Sequence, residues 1–189
     1  MRQMNQEPSP FQELVKGRRS VRRYLDRPVE KEKVLACLDA ARLAPSAENV
    51  QPWRFLVIDD PEVKARFAEA VFSGMYRMSR FAAKAPVLVL IMARLDLLAN
   101  RVGKQVQKVP YYLLDVGIAG GHFALQAEEL GLGTCWVGWF NLRKTRKFFH
   151  IPRRYKIICM LAMGYYERKP REKSRKDLSE IVWFNRLKN

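Results

Sequence analysis

Ala44-Pro45-Ser46-Ala47-Glu48-Asn49-Val50-Gln51-Pro52-Trp53-Arg54-Phe55-Leu56-Val57-Ile58 runs from a polar connection straight into an apolar segment. The two prolines bracket a loop rich in amide and hydroxyl groups, and loops of this kind on a rigid scaffold often carry function. The competing reading is a well-formed connection whose polar side chains bond its own backbone. Residues 53–58 read as a largely buried strand. Upstream, Pro28 opens a helix with Glu30 and Glu32 in its first turn, where the dipole favours anions. Val34, Leu35, Leu38 and Ala41 follow the 3.6-residue period, and the helix ends near Ala44-Pro45 because proline cannot continue it.

Further out, Pro8 to Lys16 reads as a short amphipathic helix. It leads into Gly17-Arg18-Arg19-Ser20-Val21-Arg22-Arg23-Tyr24. Arg18 and Arg22 share a side whether this piece is helical or extended; if it is extended, Ser20 joins them. A guanidinium fork matches phosphate oxygens and a serine hydroxyl adds a neutral donor, so the stretch is a candidate phosphate clamp. A solvated basic turn is the alternative. Downstream, Pro61 restarts a helix to about Phe72, and residues 74–84 form another short one. Pro86 to Met92 is a continuous apolar run, which suits a parallel-type or central strand. Residues 96–108 are polar and include Asn100 and Gly103. Pro110 to Leu130 is the longest helix, apolar nearly all round, with Gly117, Gly120 and Gly121 suited to a close packing partner such as a second subunit. Residues 134–140 and 155–165 read as strands, with a short basic helix capped by Asn141 between them. Gly138 inside the first suggests close approach by a ligand or another backbone. A densely charged tail, residues 167–176, precedes an amphipathic piece at 178–184. No repeat or linker divides the 189 residues, so one domain, 1–189, is expected.

Bulk composition narrows the function. The hydrophobic fraction of 48% supports a packed core, and the net charge of +16 points to anionic partners. The common aromatic-and-basic nucleic-acid motifs are absent, so no specific nucleic-acid role is expected. Cys37, Cys135 and Cys159 are far apart and form no metal-ligand pattern, which fits a reduced, cytoplasmic setting. His122 and His150 are isolated. Residues 1–10 lack the apolar core of a signal peptide, and no apolar run approaches the roughly 18 residues of a membrane helix.

Five stretches, in order, resemble the nitroreductase family of flavin proteins: Arg18-Arg19-Ser20-Val21-Arg22; Ala44 to Asn49 continuing through Gln51 to Phe55; Asp115 to Ala119 leading through Ala127 and Glu128 to Gly131-Leu132-Gly133-Thr134; Trp136-Val137-Gly138; and Gly164-Tyr165 followed by Lys173-Ser174-Arg175. The second is the most specific. The resemblance implies an α+β fold, a central mostly antiparallel sheet flanked by helices, in an intertwined homodimer. It also implies one FMN per subunit at the dimer interface, NADH or NADPH as electron donor, and nitro compounds, quinones or similar small acceptors. Carried onto this sequence, Arg18, Arg19, Ser20 and Arg22 hold the FMN phosphate, and Lys173 and Arg175 close on the phosphate or ribityl chain. Pro45, Ser46, Ala47 and Asn49 line the isoalloxazine from the neighbouring subunit. Gln51 either bonds its pyrimidine edge or shapes the loop. Trp136, Val137 and Gly138 border the flavin, with the Gly138 N–H reaching N5. The cofactor carries the redox step, so no catalytic side chain and no metal is expected. A flavin-fragmenting or dehalogenating branch of the same fold, or a flavin-binding protein with little turnover, is the alternative. Residues 96–108 are where family members often carry a lid.

Overall fold

A computed structural model describes residues 7–95 and 109–187; the expectation of a substrate lid at 96–108 lies outside them. Helix α1 spans Pro10–Gly17 and starts with a reciprocal cap in which the Ser9 hydroxyl accepts from the Gln12 N–H and the Gln12 side chain accepts from the Ser9 N–H. Helix α2 spans Lys31–Arg42, with Glu30 at its N-cap. Strand β1, Trp53–Ile58, is followed by α3, Pro61–Val71, whose first turn is capped by the Asp60 carboxylate at 2.8 Å from the Val63 nitrogen. A 3-10 helix, Gly74–Lys84, leads into β2, Val87–Arg94. The long helix α4 covers Tyr111–Glu129, β3 Gly133–Val137, α5 Leu142–Phe148, β4 Tyr155–Gly164 and α6 Leu178–Ile181.

The four strands form one sheet in the order β1-β2-β4-β3, with every neighbouring pair antiparallel. The apolar run of β2 is explained by its central place and not by parallel pairing. Val87, Val89, Ile91 and Ala93 point to one face, where they meet Val34, Cys37 and Ala41 of α2 and Val116, Ala119 and Phe123 of α4. Leu88, Leu90 and Met92 point to the other, against Phe67 and Val71 of α3 and Phe140. A strand covered on both faces has no polar side to show, so period-2 alternation disappears from its sequence.

One expectation is corrected. Strand β3 ends at Val137, three residues earlier than the sequence suggests. Its last partner on β4 is Met160, after which the Trp139 indole donates to the Met75 carbonyl at 3.0 Å and the Asn141 N–H to Val71 at 3.1 Å, drawing the chain off the sheet. Helix α4, apolar nearly all round, buries only part of that surface within its own chain. One face packs into the core, while Leu114, Gly117 and Ile118 are exposed, and a methyl group added at Gly117 or Gly121 would meet nothing within 4 Å. Gly120 has a reason inside the chain: a β-carbon there would lie 2.2 Å from the Trp136 ring.

All three cysteines are buried free thiols. Burial pushes Cys37 and Cys159 up to about 12. Burial raises Cys135 too, with Arg22, Arg18 and Lys173 pulling it back. At pH 8 a thiol of that acidity is ionised to roughly one part in ten thousand, and only the thiolate reacts. With an aromatic disulfide reagent at pH 8, Cys37 and Cys159 of the native protein are expected to stay silent for minutes, with Cys135 reacting first, and all three to react in denaturant. Rapid native labelling of Cys37 would contradict this packing.

Candidate functional site: a cationic recess built from both ends of the chain

The arginine stretch is extended. Arg18 terminates α1 with φ −60° and ψ 126°, and the chain then runs beside the free edge of β3, where the Val21 N–H donates to Thr134 at 2.9 Å. This covers an edge that would otherwise present unpaired backbone groups. Val21 is buried, so Arg18, Ser20 and Arg22 project together from the opposite side. Tyr24 fixes the far end: its hydroxyl donates toward the Val21 carbonyl at 2.7 Å and the Ala162 carbonyl at 3.2 Å, and burial raises its pKa strongly.

The charged tail returns to the same place. Lys169 pairs with Glu128 of α4, and Arg19 pairs with Glu172 at 3.5 Å. These two ties hold residues 170–175 over the arginine stretch, and the result is a recess of about 60 Å³ lined by Arg18, Arg19, Ser20, Arg22, Arg171, Lys173 and Arg175 together with Pro170. Arg18, Arg22, Arg171 and Lys173 have no carboxylate partner among the described residues, and Arg175 donates only to the carbonyls of Lys173 and Ser174. Arg19 differs from its neighbours. Its guanidinium is engaged by Glu172 and by the Lys16 and Arg18 carbonyls, so it tethers the tail as well as lining the recess. Arg171 and Glu172 were not singled out by the sequence, and Glu128 entered only as part of a family stretch, with no partner assigned. The only signal was the charge density of 167–176, which says nothing about which charges are satisfied.

Trp136, Val137 and Gly138 follow directly from Thr134, beside the same edge. The Val137 side chain is buried in the core, so only its backbone is open; Trp136 and Gly138 are exposed, and no atom crowds the side-chain position of Gly138. The loop at 45–51 lies elsewhere, ahead of β1 at the opposite edge of the sheet. Three strand spacings, about 14 Å, separate the two edges. The loop is held by its own groups: the Ser46 hydroxyl accepts from the Gln51 N–H at 3.0 Å, and the Gln51 amide donates to the Asn49 carbonyl and side-chain oxygen. Glu48, Asn49 and Gln51 all sit at positive φ, 51°, 54° and 46°, a region costly for residues other than glycine. Strain of that kind survives where the surroundings over-determine it, as at binding sites. So within one chain the recess and the Trp136–Gly138 corner come together, while Pro45, Ser46, Ala47, Asn49 and Gln51 form a separate exposed rim.

Asp115 of α4 anchors that rim. Its Oδ1 accepts the Ala47 N–H at 3.0 Å, and its buried Oδ2 has no protein partner among the described residues. Burial raises its pKa, and the Ala47 bond pulls it partly back. The unfolded carboxyl ionises near its ordinary value of about 3.9. Between that value and the raised native one the folded state binds more protons, so this group's stabilisation is lost as pH rises through the window, and above it the buried charge is a constant cost. Asp115→Asn keeps an acceptor for Ala47 and removes the charge. Its thermal midpoint is expected to exceed the parent's at pH 7, with the gap closing toward pH 4. Asp115→Ala, which orphans the Ala47 N–H, should fall below the parent at both.

Comparison with known proteins now decides the assignment. The model of the nitroreductase family matches residues 15–165. The chain belongs to the nitroreductase family. By that membership it is an FMN-dependent oxidoreductase with a nitroreductase-like fold. A nitroreductase family protein of Clostridium difficile 630 superposes with a TM-score of 0.78 at 36% identity, over 93% of this chain and 98% of that one. An FMN-dependent nitroreductase of Clostridium difficile R20291 gives 0.73 at 30%, over 92% and 98%. Among sequence relatives, an NADH dehydrogenase of Thermus thermophilus is 30% identical over 78% of this chain and 82% of its own length. An iodotyrosine deiodinase of Thermotoga neapolitana is 27% identical over 81% and 87%. Among the described residues no helix is long and apolar enough to cross a membrane.

Proposed function

We propose that this nitroreductase-family protein takes electrons from NADH or NADPH through FMN and delivers them to nitroaromatics, quinones or similar small acceptors, as a homodimer in the reducing cytoplasm. The observation that carries the reading is the convergence of Arg18, Ser20, Arg22, Lys173 and Arg175, from the two ends of the polypeptide, on one recess with unpaired cations. The donor set fits the group: a phosphate monoester brings about two negative charges and oxygens suited to guanidinium forks. FMN supplies hydride acceptance and donation at its N5. The chain supplies position and polarity.

In this reading Arg18, Arg22, Lys173 and Arg175 neutralise the phosphate, Ser20 adds a hydroxyl donor, and Arg19 keeps the tail closed over it. Trp136, Val137 and Gly138 border the ring, Val137 and Gly138 through their backbone, and the Gly138 N–H is assigned to N5. Cationic surroundings favour the added negative charge of the reduced cofactor, as fixed positive groups favour developing charge elsewhere. Nicotinamide and acceptor use the same place in turn, so the kinetics are ping-pong. Pro45, Ser46, Ala47, Asn49 and Gln51 reach the ring from a partner subunit. Two observations support this: the rim sits at the opposite sheet edge from the recess of its own chain, and α4 presents an exposed face of Leu114, Gly117 and Ile118. That face suits a crossing with a second copy.

The visible spectrum tests the proposal. The purified protein should show oxidised-flavin bands, bleached by NADH or NADPH without oxygen and restored by a nitroaromatic or quinone. A protein that stays colourless after FMN is added would sink it. The deiodinase relative favours a second reading, reductive dehalogenation in the same site. Iodide release from an iodotyrosine, faster than nitroaromatic turnover, would select that reading instead.

A further inference from the structure

A second recess, of about 350 Å³, adjoins the first and shares with it Ser20, Arg22, Pro170 and Arg171. It adds Arg23 and Arg168, both exposed and both without a carboxylate partner among the described residues. Its one lysine, Lys169, is already neutralised by Glu128. We propose that this larger recess is a second phosphate subsite, which takes an adenosine phosphate beside the flavin phosphate held in the smaller one. The inference rests on the FMN assignment above.

Charge carries the argument first. Arg18, Arg22, Arg171, Lys173 and Arg175 face the smaller recess without carboxylates, already more than one phosphate of about two negative charges requires. Arg23 and Arg168 extend the same field, and like charges crowded this way repel unless a second anion sits among them. The kind of cation is the second point. What remains uncommitted in the larger recess is guanidinium, the group whose planar fork fits phosphate. Size is the third. Its volume falls in the range of small-molecule pockets and leaves room for a nucleoside as well as a phosphate, with Pro170 as an apolar wall. The shared wall sets the two recesses side by side, so the two phosphates would be neighbours. Two sources meet this description: the 2′-phosphate of NADPH, and the AMP half of FAD bound in place of FMN.

The test uses the full-length protein and the double variant Arg23→Ala/Arg168→Ala, which leaves the smaller recess intact. Four quantities are compared with the parent: Kd for FMN and for FAD by flavin fluorescence, KM for NADPH against NADH, and calorimetric binding of adenosine 2′,5′-bisphosphate, which reads the recess without turnover. FMN affinity and the KM for NADH should stay within twofold. A tenfold or greater loss in bisphosphate affinity with a tenfold or greater rise in KM for NADPH identifies the 2′-phosphate as the ligand; a tenfold loss in FAD affinity with KM for NADPH unchanged identifies the AMP half. The proposal is overturned if the variant matches the parent throughout, or if FMN, FAD and both nicotinamides weaken together, which would mark a general field. A parent that binds no FMN defeats the oxidoreductase reading separately, and bisphosphate binding, or its absence, then still decides the subsite.

Discussion

FMN will leave the Arg22→Ala and Arg175→Ala variants at least ten times more readily than the parent protein. Both guanidinium groups line the small recess, and neither is balanced by a carboxylate among the described residues. A hydrogen bond to a charged group contributes about 1.5–3 kcal/mol, and each 1.4 kcal/mol is a factor of ten, so each loss should fall between about tenfold and a hundredfold. The two residues act on one phosphate, so the double variant should depart from the product of the single effects. Arg19→Ala should weaken retention less, because its guanidinium is occupied by Glu172 and acts through the tail. Equilibrium dialysis with flavin absorbance reads the four variants against the parent. Unchanged retention in both Arg22→Ala and Arg175→Ala would mean that the phosphate sits elsewhere.

Gly133→Ala is expected to have the largest effect on stability of any single methyl addition beside the recess. A β-carbon at Gly133 would lie 2.5 Å from Val21 Cγ2 and 2.7 Å from both Val21 Cβ and the Tyr166 ring. Val21 cannot yield easily, since it is buried and its backbone is bonded to Thr134. Overpacking of this kind costs about 1–3 kcal/mol. At this chain length each kcal/mol is about 2–4 °C, so the midpoint should fall by roughly 2–12 °C. The same push moves the arginine stretch away from β3, so FMN affinity should drop in parallel. Gly117→Ala provides the contrast: its added methyl meets only open space within the chain, so the monomer's packing is undisturbed. A Gly133→Ala protein as stable as the parent would show that the stretch docks more loosely than described.

Much of this architecture could be read from single residues. Proline and the carboxylate at Asp60 mark the start of α3, the apolar runs mark β1 and β4, and the unbroken run of β2 reflects burial on both faces. The family stretches also placed the arginines and the tail in one site before any geometry was known. Pairing direction was not legible in composition, since a central strand has the same composition whether its neighbours run parallel or antiparallel; the family resemblance alone implied the antiparallel sheet that is found. The true end of β3 was hidden too. Gly138-Trp139-Phe140 continues the apolar pattern, and only contacts with Val71 and Met75, more than sixty positions away, turn it aside. The division of labour among the arginines was likewise invisible. Arg18, Arg19 and Arg22 look alike in the sequence, and the difference lies in Glu172, which reaches Arg19 alone.

The joining of residues 18–22 to residues 170–175 in one recess has a consequence for biosynthesis. Half of the groups lining the recess precede every strand of the sheet in the chain and half follow all of them. Every sheet strand is complete at Gly164, so the core can assemble before residues 170–175 close the recess. Tight flavin capture is therefore a late event, and a released chain truncated just past Gly164, which lacks Lys173 and Arg175, is expected to fold but to hold flavin weakly.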